Sequence, residues 1–262
     1  MSKAGFFTTM AVAVFTGFLG VSPASADPEC SAPNSLMQLD RAISLTAKRI
    51  AEGRSLKIVA LGSSSTEGVG ASSRANSYPS RLEVELREQY PDMQIEVINR
   101  GVSGEDAREM LARLDRSVLA ERPDLVLWQV GTNAIVDAQG ISNEAYLVRK
   151  GLARLKAAGV DVVLIDPQYS PTVIRSPNAA AMVRMLQNVA QANNVPVFRR
   201  YAIMSRWRTV ENMPFDSFIV KDGLHMNDWS YHCIAKLLAT SIVAAATHPA
   251  IATRSLVQQV RL

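Results

Sequence analysis

Five short stretches of almost unbroken apolar residues, 56–61, 95–98, 125–130, 160–165 and 195–198, punctuate the chain. Between and around them lie longer stretches in which apolar residues recur every three or four positions: 36–50, 78–90, 107–119, 144–158, 179–192 and 228–246. The first kind predicts strands buried on both faces, the second amphipathic helices. Boundary signals agree. Gly53 and Gly159 stop two of the helices, Pro79 sits in the first turn of another, and Pro123 follows the end of a fourth. Strands alternating with helices build a mostly parallel, doubly wound sheet covered on both sides, a three-layer α/β/α architecture. Ligands of such sheets bind beyond the carboxyl ends of the strands. Chemistry is therefore expected in the segments that follow them.

The first 26 residues do not belong to that pattern. Lys3 is their only charge, residues 4–19 are uncharged and mostly apolar, and Ala24-Ser25-Ala26 follows. A positive start, an apolar run and an A-x-A site predict a secretory signal peptide over 1–26, cleaved before Asp27. The run is too short and too rich in glycine for a stable spanning helix. Residues 27–262 show no linker, repeat or shift in composition and are read as one domain, periplasmic or secreted.

The chain is 262 residues long, 48% hydrophobic and 20% charged, which excludes a disordered or collagen-like protein. The formal charge of +4 is spread along the chain with no Lys/Arg block, so a nucleic-acid partner is not expected. Two cysteines, Cys30 and Cys233, allow one bridge in an exported protein; Cys233 also fits a small buried residue on the last helix. The three histidines are His225, His232 and His248, and no H-E-x-x-H or C-x-x-C occurs, so no metal is expected. His232 and His248 read as structural or solvent-facing.

Gly62-Ser63-Ser64-Ser65-Thr66-Glu67-Gly68 follows the first strand, Asn99-Arg100-Gly101-Val102-Ser103-Gly104 the second, and Gly131-Thr132-Asn133 the third. Asp222-Gly223-Leu224-His225 comes near the C-terminus. Each alone reads as a turn or a cap. The phosphate-binding G-x-x-x-x-G-K-[ST], a full dinucleotide fingerprint and the G-x-S-x-G elbow are all missing. Together, a serine, a backbone-donor glycine, an asparagine amide and Asp-x-x-His make a complete acyl-transfer set that needs no cofactor.

In these blocks and their order, over about residues 57–225, the sequence resembles the SGNH hydrolases, also called GDSL esterases and lipases. The resemblance implies a flavodoxin-like fold and picks Ser64 as nucleophile, with His225 as base and Asp222 orienting it. It implies an oxyanion hole from the Ser64 and Gly104 N–H groups and the Asn133 amide. Ser63 and Ser65 stand where the GDSL motif has Asp and Leu, and Ala134 where many members have Asp. The expected function is hydrolysis of a carboxylic ester, with a short acyl group such as acetyl on a carbohydrate. A lysophospholipase, a thioesterase or an acyltransferase would use the same set, and a non-catalytic carbohydrate-binding protein would share the fold. The expected partner is an acylated small molecule or glycan. Gln168 and Tyr169, after the fourth strand, are candidate substrate contacts. Arg206 and Trp207, in a stretch read as irregular, fit either a sugar site or packing.

Overall fold

The computed structural model describes residue 1, residues 29–137 and residues 141–247. The expected signal peptide and His248 lie outside the described residues. The five strands are β1 (Leu56–Gly62), β2 (Ile95–Gly101), β3 (Leu125–Gln129), β4 (Asp161–Ile165) and β5 (Val197–Phe198). They pair in the order β2-β1-β3-β4-β5, all parallel, with Ile58 opposite Leu125 and Leu125 opposite Asp161. This is the flavodoxin-like order, whose topological switch point is the crevice between β1 and β3.

Side chains alternate between the two faces of a strand, and here both faces are apolar. Ile58, Ala60, Leu125, Leu127, Val163 and Ile165 join one core. Val59, Leu61, Val126, Trp128, Val162 and Leu164 join the other. The helices Tyr78–Gln89, Arg200–Thr209 and Asp228–Thr247 cover the first face through residues such as Leu82, Met204 and Leu238. Ala107–Ala112, Ile141–Ala157 and Ala179–Ala192 cover the second through Met110, Leu152 and Leu186. Cys30 is bonded to Cys233, with their Cα atoms 5.2 Å apart, which ties the start of the described chain to the last helix.

Three differences from the expected pattern have local causes. The stretch 36–50 is two helices, Asn34–Met37 and Ser44–Ala51, because Leu39 and Ile43 turn into the core between them. The stretch 107–119 breaks at Arg113, whose guanidinium turns inward to Glu105 and to the carbonyls of Gly62 and Arg100. Residues 200–209, expected to be irregular, form a helix. Its buried positions Arg200, Ile203, Met204 and Trp207 have helical spacing, and the burial of an arginine there hid the pattern.

Candidate active site

The polypeptide leaves β1 at Gly62, stays extended through Ser63, and turns at once into the short helix Ser64–Glu67. Ser64 is therefore the first residue of a helical turn at the switch point, with its N–H free of an intrahelical acceptor. The tight crossing depends on Gly101 at the end of β2, where a Cβ would collide with the Glu67 backbone. Asn99 clamps the turn from below: its Nδ2 donates to the Thr66 carbonyl at 2.8 Å while its Oδ1 accepts from the Gly101 N–H.

Of the three adjacent serines, one faces a base. The Ser63 hydroxyl donates to Gln129 Oε1 at 3.2 Å, and the Ser65 hydroxyl is buried without a hydrogen-bond partner. Ser64 Oγ lies 2.8 Å from His225 Nε2. His225 is presented by a reversal of the chain in which Ile219 and Met226 bridge and the Val220 N–H donates to the His225 carbonyl. Its Nδ1 lies 2.6 Å from Asp222 Oδ2. Asp222 Oδ1 accepts from the backbone N–H groups of Leu224 and His225, at 2.8 and 2.9 Å. Burial pushes the Asp222 carboxyl up. The hydrogen bonds from the His225 ring and these two N–H groups outweigh it, and the carboxyl sits below its ordinary value. An ionised Asp222 takes the Nδ1–H tautomer of the ring, which leaves Nε2 as an acceptor toward the serine hydroxyl.

Gly104 and Asn133 follow β2 and β3, the two strands on either side of β1. Gly104 has a φ of +83°, and the space beside its Cα is open. Asn133 donates through Nδ2 to the Glu105 carbonyl at 2.9 Å, joining the two loops and leaving its second amide hydrogen uncommitted in that bond. Glu105 in turn pairs with the buried Arg113 at 2.6 Å. Among the described residues no group of His, Cys, Asp and Glu side chains could hold a metal ion.

The burial of Gln168 corrects its expectation as a substrate contact, whereas Tyr169 stays partly exposed. Gln168 is fully buried, since β4 delivers it beneath the site rather than into it. Tyr169 is half-buried in an aromatic cluster, edge-on to Tyr201 at 5.2 Å and stacked on Phe215 at 6.0 Å. Trp207 is buried against Phe218 and Trp229, so packing accounts for it, while the partly exposed Arg206 pairs with Glu211. His232 lies beside Arg81 and Glu85. Gln129 and Arg200 were not anticipated. Gln129 did leave a sign, as the one strongly polar side chain in an apolar strand.

A model described as the Non-GDSL lipase-like family matches residues 29–248. That wording suits a first block with Ser63 and Ser65 in place of Asp and Leu. An acetylxylan esterase of Geobacillus stearothermophilus is 38% identical over 50 residues, which is 19% of this chain and 23% of that protein. The chain thus matches under a quarter of this curated relative's length. Among solved structures, a two-domain esterase active on acetylated mannans matches with a TM-score of 0.64 at 19% identity, over 80% of this chain and 56% of that one. The structure of an acetylxylan esterase from Geobacillus stearothermophilus matches with a TM-score of 0.62 at 18% identity, over 71% of this chain and 94% of that one. A lipolytic protein of the G-D-S-L family from Desulfitobacterium hafniense matches with a TM-score of 0.60 at 19% identity, over 71% and 98%. At these identities the likeness establishes the fold.

Proposed function

The chain belongs to the Non-GDSL lipase-like family, and from that footing we propose that it is an exported serine esterase that removes a short acyl group, acetyl, from a carbohydrate. One observation carries the reading: Ser64 Oγ, His225 and Asp222 stand in a single hydrogen-bonded line with spacings of 2.8 and 2.6 Å.

The chemistry follows from that line. His225 Nε2 takes the Ser64 proton as Oγ attacks the acyl carbon, and the carbonyl π electrons move onto oxygen. Asp222 stabilises the imidazolium that forms. The Ser64 and Gly104 N–H groups and the Asn133 amide receive the new oxyanion. Collapse of this intermediate breaks the bond to the sugar oxygen, which takes the proton from His225 and leaves as an alcohol. Water, deprotonated by the same histidine, then attacks the acyl-enzyme and releases the carboxylic acid.

The substrate class is supported by the acetylated xylan and mannan substrates named for the fold neighbours. Export is supported by the apolar run of residues 4–19 and by the Cys30–Cys233 bridge, which persists in oxidising compartments. The test is turnover of p-nitrophenyl acetate, then release of acetate from acetylated xylan and mannan, with an acyl-length series alongside. Ser64→Ala should abolish turnover and fluorophosphonate labelling while the protein stays folded. A folded wild-type protein that binds glycan but turns over no ester would leave a binding protein on this fold. Labelling that survives Ser64→Ala would move the nucleophile elsewhere. Mass spectrometry of the exported protein should find Asp27 at its start.

A further inference from the structure

We propose that Gln168 is a positioning residue for His225, acting through the Leu224 carbonyl, and that the buried Arg200 fixes which way its amide points. The inference rests on the esterase reading above.

Gln168 Oε1 accepts from the Thr132 hydroxyl and from Arg200 Nη2, each at 3.0 Å. A guanidinium carries donors only, so the amide oxygen must face it. That leaves Gln168 Nε2 toward the Leu224 carbonyl, 3.2 Å away. Leu224 directly precedes His225. The peptide unit between them is held at both edges: its C=O by Gln168, and its N–H, that of His225, by Asp222 Oδ1 at 2.9 Å. The orientation of this plane sets the direction in which the imidazole leaves the backbone, and so its aim at Ser64 Oγ.

The same network reaches the other two loops. Gln129 Oε1 accepts from the Ser63 N–H at 3.0 Å, next to the nucleophile, while its Nε2 reaches the Thr132 hydroxyl at 3.5 Å, next to Asn133. Gln129, Thr132, Gln168 and Arg200 are all buried. Arg200 also donates through Nε to the Asp166 carbonyl at 3.0 Å. A buried guanidinium contributes little to net stability compared with an apolar side chain of its size. Its place here is explained by the orientation it imposes on Gln168.

The experiment compares wild type with Gln168→Glu. Ionised beside the Arg200 guanidinium, and assayed above the pH at which burial would protonate it, glutamate keeps the acceptor toward Thr132 and Arg200 and has no donor for the Leu224 carbonyl. A misaimed base should lower kcat on p-nitrophenyl acetate, and the rate of fluorophosphonate labelling of Ser64, by about 10–100-fold, with KM within about two-fold. The melting temperature should move by only a few degrees. Gln168→Met, of similar length and without polar atoms, should lose activity alike, which separates the missing donor from the added charge. Wild-type kcat and labelling in either folded variant would overturn the proposal. So would losses of rate that merely track losses of stability, or a position that tolerates neither substitution. A wild-type protein that neither labels nor turns over would instead sink the esterase reading itself.

Discussion

Replacing Asp222 with asparagine removes one charge and almost no volume, and the structure dictates how the new side chain must sit. Asp222 Oδ1 is fixed by two backbone donors, the N–H groups of Leu224 and His225. In Asp222→Asn the amide oxygen has to remain there, because the NH2 group cannot accept those bonds. The NH2 is thereby forced into the place of Oδ2, 2.6 Å from His225 Nδ1 in the wild type. It can only donate, so Nδ1 becomes the acceptor and the ring proton moves to Nε2. That proton faces Ser64 Oγ, and the histidine can no longer take the serine's proton. The same exchange in the serine-protease triad costs about 10⁴ in kcat through the same wrong tautomer. Here kcat on p-nitrophenyl acetate should fall by about 10³–10⁴, roughly 4–5.5 kcal/mol of barrier. The thermal melt should hardly change, since both backbone bonds survive. Steady-state kinetics at neutral pH with a parallel melt is the assay. A folded Asp222→Asn protein within ten-fold of the wild-type kcat would refute the tautomer argument and the role given to Asp222.

Three further outcomes are expected. Asn133→Ala should lower kcat by about 10²–10³ with a smaller change in KM, because its amide meets full negative charge only in the transition state; a raised KM with kcat preserved would make it a binding group. Removing the Cys30–Cys233 bridge by paired alanines should reduce stability by about 2–4 kcal/mol, read from denaturant midpoints, since the bridge closes a long loop in the unfolded chain. Burial pushes the Asp166 carboxyl up to about 7, against the opposing Tyr201 N–H and Arg200 charge. The folded chain thus keeps a proton that the unfolded chain releases near pH 4, and stability falls as pH rises from there to about 7. Asp166→Asn keeps an oxygen for the Tyr201 N–H and removes this slope. Melts between pH 5 and 8 should therefore move in the variant's favour as pH rises, and a constant gap would refute the shifted carboxyl.

The strands and most of the long helices were legible because burial on both faces leaves unbroken apolar runs, and burial on one face leaves a period of three to four. The helix Ala179–Ala192 has the limits its pattern predicts. The ordered Ser, Gly and Asn blocks were legible for a related reason: each follows a strand whose end the chain itself marks, while Asp-x-x-His was legible as the last member of the ordered set. The helix Arg200–Thr209 was not legible, nor was the inward turn of Arg113. In both a charged side chain is buried, and only partners distant in the chain make that tolerable: Gln168 and the Asp166 carbonyl for Arg200, Glu105 and two strand-end carbonyls for Arg113.

Sequence by itself therefore determined the layers, the edge where chemistry is concentrated and the short set of residues that could perform it. The choice among Ser63, Ser64 and Ser65 needed a family resemblance in the sequence and rests physically on Ser64 and His225, 161 positions apart in the chain, being brought to 2.8 Å. That Gln168 is buried rather than at the surface was likewise decided only in three dimensions. Local pattern records how each segment meets solvent, whereas the partner of a polar side chain depends on which segments the sheet order brings side by side.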